Sequence, residues 1–114
     1  MASWEDVVAI GAKLPEVEES TWYRTPALKV RGKSFCRMKE DGETLVLRVV
    51  DLEDKEALLQ SDPQLYSTTP HYDGYAFVLV RLSAIGEGPL SELIEDAWRC
   101  MAPKRLRASY EEDA

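Results

Sequence analysis

Histidine occurs once in this 114-residue chain, at His71, and cysteine only twice, at Cys36 and Cys100. The cysteines stand 64 positions apart with no Cys-x-x-Cys spacing, so both read as free thiols of a reducing compartment. A lone histidine acts as a general base only beside an oriented nucleophile or carboxylate. Asp73 is its one neighbour of that kind in sequence, and His71 reads as a loop residue hydrogen-bonded to backbone. Long apolar runs are missing too. The longest, Tyr75 to Val80, is far too short to cross a bilayer. Met1-Ala2-Ser3 leads straight into a charged amphipathic segment rather than a signal peptide. Positive charge is scarce: 14 Lys and Arg face 21 Asp and Glu, for a net charge of −7 and a pI near 4.7. That balance disfavours non-specific nucleic-acid binding by the molecule as a whole. These absences predict a soluble, cytoplasmic monomer with no catalytic residues, no cofactor, no metal and no membrane partner.

What is present reads as one folded domain. A chain of this length buries about two-thirds of its unfolded surface and needs no staple. The apolar content of 45% and charged content of 31% are those of a globular protein. Residues 1–108 are predicted to form the domain and 109–114 a frayed acidic tail.

The scarce positive charge is concentrated between Ala27 and Val50. Arg31-Gly32-Lys33 and Asp41-Gly42 cut this stretch into three strand-like runs, predicting an antiparallel meander. A two-residue turn at Asp41-Gly42 sets Met38 opposite Leu45 and Glu40 opposite Glu43. Met38, Cys36, Leu45, Leu47 and Val49 then share the core face, and Phe35, Arg37, Lys39, Thr44, Val46 and Arg48 the outward face. A three-residue loop at Arg31-Gly32-Lys33 aligns Leu28 with Cys36 and Val30 with Ser34, and adds Lys29 and Arg31 to the outward face. Such a basic, aromatic-interleaved face suits a phosphate backbone. It equally suits a solvated sheet face that resists edge pairing.

The flanking elements carry clearer signals. Ser3 and Asp6 form a capping box ahead of Trp4, Val7, Val8 and Leu14, with Pro15 as the stop. Glu16 to Ser20 reads as a solvated acidic linker, and Thr21 to Pro26 as an edge strand or loop. Asp51 caps a second helix over about Leu52 to Gln60, and the acids around it read as caps rather than a metal site. Tyr75 to Val80, apolar on both parities, predicts a strand covered on both faces at the centre of the sheet. Pro89 opens a last helix in which Leu90, Leu93, Ile94, Ala97, Trp98 and Met101 form one core stripe. Pro103 closes it, and Lys104-Arg105-Leu106-Arg107 complements its carbonyl end or contacts phosphate.

The series LPEVEEST, TPALKVRGKSFCRM with EDG, DPQLYSTTPHYDGYAFVLVRL and LIEDAWRCMAPKRL resembles the MmcQ/YjbR family over Trp4 to Leu106. The resemblance implies an α+β domain in the order α-β(3)-α-β(2)-α, an antiparallel sheet flanked by helices, and a likeness to type III secretion chaperones. It also implies a "double-wing" motif that binds DNA, and no established catalytic residue. The nucleic-acid-binding residues expected are Lys29, Arg31, Lys33, Arg37, Lys39 and Arg48, helped by Lys104 and Arg105. The alternative is a protein-binding adaptor using its sheet or an exposed apolar patch.

Overall fold

The computed structural model describes residues 2–113. The chain runs through helix α1 (Trp4–Gly11), strands β1 (Val17–Trp22), β2 (Thr25–Val30), β3 (Lys33–Met38) and β4 (Thr44–Arg48), and helix α2 (Leu52–Ser61). Strands β5 (Tyr66–Ser67) and β6 (Phe77–Arg81) follow, then helices α3 (Glu87–Met101) and α4 (Lys104–Asp113). All strand pairs are antiparallel, in the order β1-β2-β3-β4-β6-β5. The α+β architecture of an antiparallel sheet with flanking helices is the one expected, enlarged by an edge strand and a terminal helix.

The main core lies between one face of the sheet and helices α1 and α3. Leu28, Val30, Cys36, Met38, Leu45, Leu47, Val78 and Val80 from the strands meet Val7, Leu90, Ile94, Ala97 and Trp98. The Asp6 carboxylate accepts the Ser3 N–H at 2.9 Å, and the Asp51 side chain accepts from Asp54 N–H at 2.8 Å, as the capping signals predict. The predicted helical stripe of α3 packs as predicted, with Leu90, Ile94, Ala97 and Trp98 fully buried. The helix begins earlier than predicted, placing Pro89 in a first turn where its missing N–H costs no intrahelical bond.

Four expectations need correction. The acidic stretch after Pro15 is no linker but edge strand β1, whose Glu18 and Glu19 sit where charge deters further strand pairing. The Arg31-Gly32-Lys33 loop is a two-residue turn at Arg31-Gly32 (φ 51° and 80°) that pairs Val30 with Lys33. Phe35 is then an unpaired bulge residue, which restores the pairing of Leu28 with Cys36. The bulge sends Phe35 into the main core, not outward. Strand β6 is covered on both faces but lies next to the edge strand β5 rather than at the centre. Finally, residues 109–113 belong to α4, whose Tyr110 ring packs on Trp98 with centroids 5.1 Å apart.

The bulge also increases strand twist, and the sheet curls. Trp22 on β1 and Phe77 on β6 are four places apart in the sheet order, which would separate them by about 19 Å in a flat sheet. Their ring centroids are 5.7 Å apart. The face turned away from the helices is therefore concave.

Candidate functional site on the concave face

The predicted cations do not share one surface. Lys33 is exposed at the hairpin tip, and Lys29 and Lys39 are half-buried along the same hairpin. Lys29 lies across from Glu18 on β1. Arg31 is held by Glu16, with Nε and Nη2 donating to the carboxylate at 2.5 and 3.0 Å. Those bonds pull the Glu16 carboxyl below the usual carboxylate range. Arg48, half-buried, donates from Nε to Val49 O at 2.8 Å and lies over the Phe77 ring. Lys104 and Arg105 are exposed in the first turn of α4, in the helix layer. They open a new helix rather than finish α3, and a basic first turn runs against the helix dipole.

Arg37 departs furthest from expectation. It is 4% exposed, so it cannot lie on a solvated outward face. Nε and Nη2 donate to the Tyr72 hydroxyl at 3.0 and 2.7 Å. Nη1 donates to Thr25 Oγ1, Met38 O and Glu40 Oε1 at 3.1, 3.1 and 3.2 Å. A guanidinium survives burial only with such satisfaction. Val46, on the same face, is also buried, with Tyr72 and Leu79, and the half-buried Phe77 packs against them.

The cover over this face is the segment 68–75, pinned from two sides at Tyr72. Its hydroxyl takes the Arg37 bonds, and its carbonyl accepts from Lys55 Nζ at 2.7 Å. The same ammonium donates to Tyr75 O at 3.1 Å, and burial lowers the Lys55 pKa against the partial support of Asp73. Two buried cations thus staple one loop.

Beside the staple opens a cleft of about 360 Å³ lined by Trp22, Tyr23, His71, Tyr72, Tyr75 and Phe77. It draws in five of the ten Phe, Trp and Tyr residues of the chain, a concentration that core packing alone does not require. His71 is exposed, edge-on to Tyr23 and Tyr72 at centroid distances of 5.7 and 4.7 Å. It is held by rings rather than by a backbone hydrogen bond, and Asp73 Oδ1 accepts from Thr68 Oγ1 instead. Tyr23 and Arg24 form the β1–β2 turn with φ of 54° and 65°, a left-handed conformation that strains residues bearing a Cβ. Thr25 Oγ1 helps hold it by donating to Trp22 O at 2.9 Å.

A second opening, of about 210 Å³, shares Tyr23, His71 and Tyr72 with the first and adds Arg37, Lys39, Glu40 and Thr69. Of the predicted cations, Arg37 and Lys39 are therefore brought together, beside rings from two segments far apart in the chain. The signal available was the clustering of aromatics at Trp22-Tyr23 and again over His71 to Phe77.

No cluster of three His, Cys, Asp or Glu residues able to hold a metal occurs among the described residues. Cys36 is fully buried, and desolvation pushes its thiol up to about 12, which removes it as a nucleophile. No helix is long and apolar enough to cross a membrane, among the described residues.

The fold and chain have relatives. A crystal structure of Deinococcus radiodurans protein DR2400, a DUF419 domain, superposes with a TM-score of 0.71 and 25% identity, covering 86% of this chain and 77% of that one. Uncharacterized proteins of Mycobacterium bovis and Mycobacterium tuberculosis are each 38% identical over 125 aligned positions, spanning 96% of both chains. With the YjbR family model matching residues 12–100 as well, this chain belongs to the YjbR family.

Proposed function

We propose that the chain binds nucleic acid through the β2–β3 hairpin, with Lys29, Lys33 and Lys39 contacting phosphate. One observation carries the reading: from Thr25 to Lys39 the hairpin contains no acidic residue, in a chain of net charge −7. Among the described residues, these three lysines have no carboxylate within ion-pair distance. Arg31 is engaged by Glu16 and Arg37 is buried, so neither is available as it stands. Arg48 is half-buried on β4 and donates to Val49 O, and Lys104 and Arg105 belong to α4, so the reading rests on the three lysines. Contacts of this kind position a nucleic acid without reading its sequence.

Fluorescence anisotropy with labelled duplex DNA across a salt series tests the proposal. Three phosphate contacts give a slope of about −2.7 in log affinity against log salt, or a loss of roughly 40-fold between 50 and 200 mM. Replacing all three lysines by glutamine should abolish the slope. A duplex that fails to bind at low salt would leave the second reading, a protein-binding adaptor. That reading draws on Val50, Leu52 and Tyr75, which are 60%, 51% and 62% exposed. Val50 and Tyr75 are neighbours, because Val49 N–H donates to Ala76 O at 2.9 Å.

A further inference from the structure

We propose that the concave face holds a binding site for a small planar aromatic anion of mononucleotide size. The ring would enter the cleft of Trp22, Tyr23, Tyr75 and Phe77, and the anionic group would reach Lys39 and Arg37. This site is separate from the hairpin tip and does not rest on duplex binding.

The geometry argues for a small ligand. About 360 Å³ lies at the low end of ligand pockets, enough for one ring system, and the adjoining 210 Å³ opens from the same three residues. Tyr23 and Tyr75 are 54% and 62% exposed at its edge, so each presents ring surface to solvent. Aromatic faces exposed in a concavity favour flat guests, which gain stacking contact on both the protein and the ligand.

Charge decides the sign. An aromatic cleft can also cage an organic cation. Here, however, the Arg37 guanidinium already lies 5.1 Å from the Tyr23 centroid and 5.8 Å from that of Tyr72. A second cation against those rings would be repelled by that guanidinium. Lys39 adds another positive charge at the second opening. The opposing group there is Glu40, with its carboxylate 3.2 Å from Arg37 Nη1 and a side chain 64% exposed. Its exposure lets it swing into solvent, so an incoming phosphate or carboxylate can take its place on Arg37. The left-handed Tyr23-Arg24 turn fits the same purpose, because it aims a large ring over the opening at a cost in backbone strain.

Titration of the wild-type protein with adenosine monophosphate, adenosine, inorganic phosphate and tetramethylammonium, read by tryptophan fluorescence and calorimetry, is the test. Adenosine monophosphate should saturate, adenosine should bind at least about tenfold more weakly, and phosphate alone and tetramethylammonium should not bind detectably. Tyr23→Ala and Tyr75→Ala should each weaken the nucleotide by about 5- to 150-fold, the range of single stacking contacts. Tyr75→Phe should retain it, and Lys33→Gln, at the hairpin tip, should leave it unchanged. Circular dichroism of each variant separates loss of fold from loss of the site. No saturation by about 1 mM, or equal binding of tetramethylammonium, overturns the proposal. So does an oligonucleotide that fills the cleft far more tightly and loses its hold in Lys33→Gln, which would assign the cleft to a nucleic-acid strand.

Discussion

The two faces of the sheet are built on different principles. The face toward α1 and α3 is closed by apolar side chains, among them Phe35 and Trp98, and the Trp98 indole N–H donates to Pro15 O at 3.0 Å. The concave face is closed by a loop that two buried cations hold through Tyr72, and its buried apolar cluster is only Val46, Tyr72 and Leu79, with Phe77 packed against it. Hydrophobic packing tolerates small errors gradually, whereas a buried charge needs its partners in place. The second construction is the costlier way to close a surface. It leaves the Tyr23 and Tyr75 rings exposed beside the loop, which a fully packed aliphatic interface would not.

That contrast can be broken most severely on the helix face. Leu47→Ala should cost about 2–5 kcal/mol, read as a lower urea midpoint with an unchanged slope. The loss should be global, affecting all slowly exchanging amides alike. Arg37→Met should cost less, about 1–3 kcal/mol, because the aliphatic stem keeps the volume while Tyr72, Thr25 and Met38 lose a donor. Its signature should be local: faster amide exchange confined to residues 68–75, which would set the concave face apart as its own cooperative unit. If exchange accelerates equally across α3, the two faces form one unit and the distinction fails.

How much of this is legible in residues depends on whether a contact is local. The capping aspartates and the α3 stripe follow from neighbours a turn away, and the structure keeps them. The Phe35 bulge is invisible, since a three-residue loop and a two-residue turn with a bulge give the same Leu28–Cys36 pairing. Strand β1 hides for a similar reason: Glu18 and Glu19 look like a linker until the edge of a sheet is known to be there. Arg37 alternates correctly with its neighbours, but the face it points to is covered by Tyr72, 35 positions later. The cleft likewise joins residues 22–23 to 71–77, and no local pattern links them.

Lys55 sharpens the comparison by pH. Its folded pKa lies below the ordinary lysine value because burial disfavours the ammonium. Between the folded and unfolded pKa values the unfolded chain holds the extra proton, so stability rises as pH climbs through that window. Below it the desolvation penalty is fully present. Lys55→Met should therefore be destabilised by about 1–2 kcal/mol near neutrality, from two carbonyls left without a donor. The gap to wild type should widen as the pH approaches the ordinary lysine range, in urea titrations at several pH values. A gap that stays constant would mean that the ammonium is hydrated and the staple is looser than the 2.7 Å bond to Tyr72 O implies.

The smallest effect on stability should come from the surface, and it bears most directly on nucleic-acid binding. Glu16 is depressed by its hydrogen bonds to Arg31, so their mutual stabilisation is present above the unfolded carboxylate pKa and lost as pH falls through the folded one. Both groups are exposed, and Glu16→Gln should shift the urea midpoint hardly at all. The same change frees the Arg31 guanidinium beside Lys33 at the hairpin tip. A fourth phosphate contact then becomes available, and the salt slope for duplex DNA should steepen from about −2.7 to about −3.6. Affinity at low salt should rise with it. An unchanged slope would mean that the tip of the β2–β3 hairpin does not meet the phosphate backbone, whatever Lys29 and Lys39 do, and the contact would have to move toward the Lys39 end of the hairpin.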